Sequence, residues 1–291
     1  MSLDWRKVEQ ENPGLAVQSA HSIGEGWNAR AYLVNNELVF RCPKRAEHWE
    51  ELHREIAFLT FAADKLPLPV PRYLLSAPDS TAAPHGYAIY KYLPGAPIDI
   101  DRLAKERRDT AAAALAGFLQ ALHALEPGPD SGILLPQENG RAGAEQYLAR
   151  TEAEIVPTLQ PTAARALLKV FETHLSEPSN FSYTPMVLHA DFSRDHVLVE
   201  DGVVAGVIDF GDVNRGDPDY DFMYLFVDFG LAFVEDVARR YGHSDLPRLR
   251  SKLRYFAIVD QIDTILNGGG YATQGQQIAA WLRLEQLLKC G

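Results

Sequence analysis

Two short acidic motifs, separated by a predicted β-hairpin, constrain the fold of this chain more than any other feature. They read His-Ala-Asp-Phe-Ser-Arg-Asp-His at 189–196 and Ile-Asp-Phe-Gly-Asp at 208–212. Between them, apolar runs at 197–199 and 203–208 flank a turn-forming Glu-Asp-Gly. Because a hairpin brings its two ends together, we expect Asp191, His196 and Asp209 to converge at one mouth.

The spacing matches the way a kinase presents a base and its metal ligands to a nucleotide. In the pattern H-x-D-x-x-x-x-N followed by D-F-G, the first Asp orients or deprotonates the attacking hydroxyl, and the other two positions hold Mg²⁺. Asp191 takes the first role here, while His196 and Asp209 take the metal positions. Since Mg²⁺ prefers oxygen ligands, Asp209 is expected to be the dominant anchor.

These side chains also allow a different class of enzyme. His189, together with Asp191, His196 and Asp209, could ligate the metal of a metal-dependent hydrolase. The kinase interpretation differs because it requires a nucleotide-binding lobe upstream of the catalytic loop.

The N-terminal sequence contains features of such a lobe. Gly24 and Gly26 lie in a glycine-rich turn, where glycine lets backbone N–H groups approach phosphates without interference from a Cβ. After it, runs at 31–33 and 37–41 flank Asn-Asn, which predicts a hairpin.

The motifs, taken in order, resemble the aminoglycoside phosphotransferase family over about residues 24–270. Catalytic loops of that family begin His-Gly-Asp and in one branch end in His, whereas Ala190 replaces the Gly here. The resemblance implies a protein-kinase-like fold of the α+β class. Its small β-rich N-terminal lobe would span 1–93, and its large, mainly helical C-terminal lobe would span 94–291.

The resemblance also implies a strand cation that holds the phosphates and pairs with a helix Glu. Arg41 aligns with the lysine expected in the family, and Lys44 is a second candidate although it follows a proline. Glu55 is the implied partner of Arg41.

An aromatic strand that runs into Pro-Gly resembles the family's interlobe hinge. Its residues Lys91, Tyr92 and Leu93 would face the purine of ATP or GTP. The helical patterns fall at 46–63, 101–125, 143–156, 162–176, 219–242, 246–267 and 275–289, with a break predicted at the three glycines 268–270.

Acidic residues near and after the second motif indicate the acceptor. Asp212, Asp219, Asp260 and Asp263 supply carboxylates on the inferred acceptor side, and the last two share a helix face. Such a cleft suits a cationic acceptor with several amines and hydroxyls, such as an aminoglycoside. Asp221 resembles the family's acid that buttresses the catalytic loop.

Composition restricts the partners. The formal net charge of −11 argues against nucleic acid. No signal-peptide pattern and no apolar run of membrane-spanning length occurs. Cys42 and Cys290 are the only cysteines. We therefore expect a cytoplasmic, reduced protein that does not engage a membrane, and no protein partner is inferred.

The sequence thus predicts a small-molecule O-phosphotransferase that uses ATP or GTP with Mg²⁺, with antibiotic resistance as the expected context. Alternatives are a kinase of a macrolide, amino alcohol or sugar amine, and the metal-dependent hydrolase. A nucleotide-binding protein with little transferase activity is also possible, because Arg41 and His196 are unusual at two expected kinase positions.

Overall fold

The computed structural model describes residues 3–128 and 131–289, and the side chains of 268–271 are not described. The chain forms two compact units. The strand-rich unit comprises Met1–Arg107, Leu125–Leu135 and Asp195–Val213. The helix-rich unit comprises Arg108–Ala124, Pro136–Arg194 and Asn214–Gly291. The lobe boundary at 93/94 stays a prediction.

A five-stranded antiparallel sheet is the centre of the strand-rich unit. Its strands are β1 (Ala20–Glu25), β2 (Ala29–Val34), β3 (Leu38–Pro43), β4 (Tyr73–Ala77) and β5 (Tyr87–Lys91), in the spatial order β1-β2-β3-β5-β4. The predicted hairpin is confirmed: Asn35 and Asn36 have φ values of 54° and 57°. A two-residue turn with both φ values positive matches the twist of the strands it joins, and Asn tolerates that conformation.

Two helices accompany this sheet. The helix α1 spans Trp5–Glu11 and α2 spans His48–Ala62. Phe40 of β3 and Tyr87 of the neighbouring strand β5 are fully buried, and their ring centroids lie 5.5 Å apart. Phe58 of α2 packs against Phe210 at 5.9 Å, which connects the helix to the second motif. Burial of such aromatic side chains stabilises the unit and sets the orientation of α2.

A small sheet carries the hairpin between the two acidic motifs. It contains β6 (Ala96–Pro97), β8 (Val197–Glu200) and β9 (Val203–Val207). Asp201 and Gly202 form its turn with φ values of 51° and 75°. The Ile208 N–H donates to the His196 carbonyl at 2.9 Å, so the ends of this hairpin are close together, as the sequence predicts.

The helix-rich unit contains most of α3 (Lys105–His123) and five further helices. These are α4 (Gly140–Arg150), α5 (Pro161–Ser176), α6 (Met223–Tyr241), α7 (Leu246–Tyr271) and α8 (Gln274–Lys289), with a π-helical turn at Thr151–Ile155 after α4. A two-stranded ribbon pairs β7 (Met186–Leu188) with β10 (Asn214–Gly216). The core combines Leu167 and Phe171 of α5 with Ile258 and Ile262 of α7 and Leu284 of α8.

The structure corrects two helical predictions. The break at 268–270 is wrong, since α7 continues through these glycines to Tyr271. Each glycine weakens a helix by only about 1 kcal/mol, and apolar contacts of α7 with α5 and α8 outweigh that cost. The segment 219–242, predicted as one helix, forms two elements. A 3₁₀ helix spans Pro218–Phe222, and α6 follows it directly. Gly230, with φ of 79°, interrupts α6.

Cys42 is a buried free thiol, while Cys290 lies outside the described residues. Burial raises the pKa of the Cys42 thiol to about 12. Among the described helices, none has both the length and the apolar character needed to cross a membrane.

Candidate active site

The glycine-rich turn lies at the edge of the five-stranded sheet. Gly24 is within β1, next to an irregularity in the pairing with β2, and the Gly26 N–H donates to the Ala29 carbonyl at 3.0 Å. A Cβ built at Gly24 would meet no atom within 4 Å. Protein packing therefore gives no reason for glycine at 24, and close approach of another group to this backbone is sterically possible.

Arg41 is the central cation of the strand-rich unit. Its Nη1 lies 3.1 Å from Glu55 Oε2 and 3.0 Å from Asp209 Oδ1. The Tyr73 hydroxyl donates to Glu55 Oε1 at 3.0 Å. One guanidinium from β3 thus joins the α2 carboxylate to the Asp of the second motif. The ion pair expected between Arg41 and Glu55 is present.

The electrostatics of this cluster follow from burial. The side chain of Glu55 is fully buried, and desolvation raises its pKa to about 7 despite the nearby Arg41 charge. Desolvation would lower the pKa of Arg41, but Asp209 and Glu55 outweigh it and raise that pKa well above the usual value. The guanidinium therefore keeps its charge and provides a permanent cation beside Asp209.

Lys44, the second candidate for the phosphate-binding cation, has a different partner. Its Nζ lies 3.0 Å from Glu25 Oε1 of β1, and Arg30 pairs with the same oxygen at 3.3 Å. Glu25 is half-exposed, so these are surface ion pairs of little energetic weight. The geometry favours Arg41 over Lys44 as the cation paired with the α2 carboxylate.

His196 and Asp209 are brought together by the small sheet. His196 Nε2 lies 3.7 Å from Asp209 Oδ2, while Asp209 Oδ1 faces Arg41. The Asp209 side chain is 37% exposed and has φ of 63°, a left-handed conformation that Asp tolerates better than most residues. Asp212 follows on the same loop, where desolvation and the carboxylates of Asp209 and Glu51 raise its pKa.

The hinge residues have distinct environments. Lys91 and Tyr92 are exposed, and the Tyr92 N–H donates to the Glu37 carbonyl at 2.8 Å. Among the described residues, the Leu93 N–H has no hydrogen-bond acceptor. The hydrogen-bonding capacity of this amide is therefore unused within the described residues.

The catalytic loop, residues 189–194 in the helix-rich unit, is held by a buried carboxylate. Asp221 Oδ2 accepts from the His189 N–H at 2.9 Å, and Oδ1 accepts from the Ala190 N–H at 2.8 Å. His123 Nε2 lies 3.0 Å from Asp221 Oδ2. Asp221 thus has the buttressing position implied by the sequence, since it holds the two residues that directly precede the half-buried Asp191.

Ala190 has φ of 65°, in the left-handed region that usually favours glycine. For a residue with a Cβ this conformation costs about 1–2 kcal/mol. The hydrogen bonds that the His189 and Ala190 amides donate to Asp221 oppose that cost. This explains how alanine can occupy a position that is glycine in related loops.

Two of the predicted acceptor acids lie on α7 beside phenol groups. The Tyr224 hydroxyl donates to Asp260 at 2.8 Å, and the Tyr147 hydroxyl donates to Asp263 at 2.7 Å. Burial raises the pKa of Asp260 to about 6, and the charge of Asp263 adds to this effect. The pKa of Tyr224 is raised by burial, by Asp260 and, less strongly, by Asp191. Tyr224 is therefore hydrogen-bonded to one acid of the pair and within the electrostatic influence of Asp191.

The environment of Asp219 favours a structural role over the predicted role on the acceptor side. Asp219 is 5% exposed, and its oxygens contact Lys252 Nζ at 2.6 Å and His243 Nε2 at 2.9 Å. Burial alone would raise its pKa, but these two partners lower it to about 2. Both oxygens are engaged in an internal ion-pair network, so Asp219 has a structural role.

Sequence reasoning missed the residues that position others. His123, near the end of α3, contacts Asp221 Oδ2 at 3.0 Å and the Tyr241 hydroxyl at 2.9 Å. Tyr147 and Tyr224 were not identified beside the acids. All these contacts join residues far apart in the chain, and no local pattern indicates them.

The fold and the site define a class of protein: a kinase-like phosphotransferase. The strand-rich unit contains a cation–carboxylate pair and the D-F-G Asp, and the helix-rich unit contains a catalytic loop held by a buried Asp. Among the described residues, no group of three His, Cys, Asp or Glu side chains forms a metal-binding cluster. His189, one of the four ligands of the alternative hydrolase interpretation, is fully buried.

The model of the phosphotransferase enzyme family, APH, matches residues 19–256, and this chain belongs to that family. An aminoglycoside 3'-phosphotransferase from Escherichia coli is 25% identical over 273 residues, covering 90% of this chain and 91% of the relative. Family membership confirms the kinase interpretation and overturns the metal-dependent hydrolase.

Solved structures agree with the family. The GDP complex of wild-type aminoglycoside 2'-phosphotransferase-IIIa has a TM-score of 0.91 at 27% identity, covering 98% of this chain and 97% of that chain. The GDP and kanamycin complex of APH(2")-IIia has a TM-score of 0.89 at 28% identity, covering 97% of each chain. The predicted protein-kinase-like fold is confirmed, and the protein is a small-molecule phosphotransferase that uses a nucleotide.

Proposed function

We propose that this enzyme transfers the γ-phosphate of ATP or GTP to a hydroxyl of an aminoglycoside-like cationic acceptor. The observation that carries the proposal is the arrangement around Tyr224, whose hydroxyl donates to Asp260 and whose pKa responds to Asp191. The carboxylates proposed to bind amines, Asp260 and Asp263, thus lie in the same unit as Asp191, the proposed base for the acceptor hydroxyl. The relatives that act on aminoglycosides support this acceptor class.

The nucleotide would be bound by residues of the strand-rich unit. Arg41 supplies the cation for the phosphates, and Glu55 holds its guanidinium in place. The Leu93 N–H is the proposed donor to the base, while Gly24 and Gly26 let the backbone approach the phosphates. Arg is a longer side chain than Lys and presents several donors in one plane, which suits phosphate oxygens.

The donor set fits a magnesium ion that also binds nucleotide phosphates. Asp209 provides a partly exposed carboxylate, and His196 is the second protein ligand at 3.7 Å from it. Mg²⁺ is commonly held in such enzymes by one or two carboxylates together with phosphates and waters. When bound, Mg²⁺ neutralises negative charge on the phosphates. Asp209 is the stronger proposed ligand because its donor is oxygen.

Asp191 aligns the acceptor hydroxyl. A bond forms between the hydroxyl oxygen and the γ-phosphorus as the bond to the bridging oxygen breaks. The hydroxyl proton passes to Asp191, and the nucleoside diphosphate leaves. Because phosphoryl transfer has a loose transition state, the position of Asp191 contributes more than its basicity. The hydrogen bonds from the loop amides to Asp221 restrict that position.

The proposed amine-binding residues are Asp260 and Asp263. Asp212, which lies on the same loop as Asp209, is a further proposed acid. Asp260 and Asp263 are half-buried, and each accepts a hydrogen bond from a phenol. A carboxylate held in a partly desolvated position attracts an ammonium more strongly than an exposed one does. These two acids therefore favour an acceptor with at least two amines.

The test is a screen of aminoglycosides, macrolides and small amino alcohols with ATP and with GTP, using mass spectrometry to detect a phosphate adduct. We expect an adduct with an aminoglycoside, and none with the Asp191→Asn variant, which keeps the shape of the side chain but removes its charge. Adducts on neutral acceptors only would refute the cationic acceptor and leave the phosphotransferase intact. Near-normal turnover by Asp191→Asn would refute the role of that residue.

A further inference from the structure

The catalytic loop is anchored at its second end by a carboxylate outside both acidic motifs. Asp228, on α6, accepts a hydrogen bond from the Arg194 N–H through Oδ2 at 2.8 Å. Asp221 holds the amides of the first two loop residues, so carboxylates fix both ends of the segment. Asp191 lies between these two anchors.

The middle of the loop has its own restraints. The Ser193 N–H donates to the Asp191 carbonyl at 2.8 Å, which forms a tight turn around the base. The Phe192 ring is buried and stacks on Phe118 of α3, with centroids 5.6 Å apart and an interplanar angle of 2°. Neither contact fixes the position of Arg194, where the loop leaves the helix-rich unit. That position is held by Asp228.

The backbone of α6 gives Asp228 a defined position. Asp221 and Asp228 are seven residues apart, on the 3₁₀ helix and the α-helix that directly follows it. Gly230, two residues after Asp228, has φ of 79° and ψ of 173°, a non-helical conformation that kinks α6 there. Asp228 therefore lies on the first half of α6, the half that is continuous with the Asp221 anchor.

We propose that Asp228 is a positioning residue for phosphoryl transfer, which fixes the far end of the catalytic loop and so holds Asp191 in its working position. This inference rests on the proposed role of Asp191. Loss of the Asp228 anchor should lower kcat, because the aligned fraction of Asp191 falls. Nucleotide affinity should not change, because the residues proposed to bind the nucleotide lie in the strand-rich unit.

The kinetic test compares Asp228→Ala and Asp228→Asn with the native enzyme, using kanamycin as acceptor and GTP as donor. An error of about 1 Å in the position of a catalytic group can cost about a hundredfold, so Asp228→Ala should lower kcat by about ten- to a hundredfold. Its KM for GTP should stay within about twofold. Asp228→Asn keeps a side-chain oxygen that can accept the hydrogen bond from the Arg194 N–H. Its kcat should therefore recover to within about threefold of the native value.

A matched control is available on the same helix. Asp236 forms an ion pair with Arg240 at 3.0 Å, and both side chains are more than one-third exposed. Asp236→Ala removes an α6 carboxylate that does not contact the loop, and its kcat should equal the native value. Amide hydrogen exchange at Arg194, measured by NMR, should become faster in Asp228→Ala but not in Asp236→Ala.

The outcomes separate this proposal from the proposed function. Native kcat in Asp228→Ala, or a fall that Asp228→Asn does not recover, overturns the positioning role. If Asp228→Ala folds poorly, Asp228→Asn and the exchange rate of the Arg194 amide still decide, since unchanged protection in a folded variant also overturns it. Absence of kanamycin phosphorylation by the native enzyme counts against the acceptor class, and the exchange comparison then decides whether Asp228 is an anchor.

Discussion

Replacing Lys252 with Met should destabilise the protein strongly, because this lysine is the buried counter-ion of two carboxylates. Its side chain is 2% exposed, and Nζ lies 2.5 Å from Asp217 Oδ2 and 2.6 Å from Asp219 Oδ2. Met has a similar volume, so the change removes charge with little loss of packing. Removing one partner of a buried ion pair costs about 3–5 kcal/mol, because the remaining charge lacks compensation.

The change in thermal midpoint follows from that value. For a protein of this size, 1 kcal/mol corresponds to about 2–4 °C, so Lys252→Met should lower Tm by roughly 6–20 °C at pH 7. The control is Lys289→Met, since Lys289 is 75% exposed and its Glu285 partner is 3.8 Å away. The control should change Tm by no more than about 2 °C, because exposed ion pairs contribute about 0–1 kcal/mol.

The pH dependence gives a second, independent check. The pKa of Asp219 is lowered to about 2 from 3.8 by His243 and Lys252, against the effect of burial. A carboxyl whose pKa is lowered by folding stabilises the fold at pH above its pKa in the unfolded chain. This stabilisation is lost as the pH falls through its pKa in the folded protein. In Lys252→Met the carboxylates can be neutralised by protons, so the Tm difference from native should shrink between pH 7 and pH 4. A difference that is negligible at pH 7, or that grows in acid, would refute the reasoning.

Three further predictions concern the site. Asp209→Ala should abolish Mg²⁺-dependent nucleotide binding measured by isothermal titration, and His196→Ala should weaken it less; equal losses would contradict the ranking of the two ligands. Arg41→Ala should weaken triphosphate binding more than Lys44→Ala in the same titration, because only Arg41 pairs with the α2 carboxylate; the reverse order would transfer the role to Lys44. The pKa of Asp260 is about 6, so its charge is lost as pH falls below that value, and KM for a cationic acceptor should rise between pH 7 and pH 5. An Asp260→Asn variant should lack that part of the pH dependence, and an unchanged pH profile would exclude Asp260 from acceptor binding.

Local chemistry determined much of this protein from the sequence. Asn35-Asn36 and Asp201-Gly202 were readable as hairpin turns because positive φ values are favourable for few residue types. The spacing from Asp191 to His196 and Asp209 indicated the class of enzyme because kinase motifs present a base and then two metal ligands in that order. The resemblance to a known family implied the pairing of Arg41 with Glu55, and the structure contains it.

The tertiary structure decided the environment of each of several identical side chains. Asp219 and Asp260 both belong to acidic stretches, and the sequence placed both on the acceptor side. Asp219 is buried against Lys252, 33 residues further along the chain, whereas Asp260 accepts a hydrogen bond from Tyr224. The environment of a carboxylate depends on which distant residue packs against it, and the local sequence does not indicate which residue that is.

The same reason explains the residues that sequence analysis missed or misjudged. Helix α7 continues through three glycines because contacts with other helices outweigh weak local propensity. Asp228 has no motif, and its contact with the Arg194 amide exists only because α6 packs beside the loop. Sequence therefore determined the turns, the existence of most helices and the chemical class of this enzyme. Packing between distant segments decided which side chains are positioned to carry out the chemistry, because burial and hydrogen bonding are properties of the assembled fold.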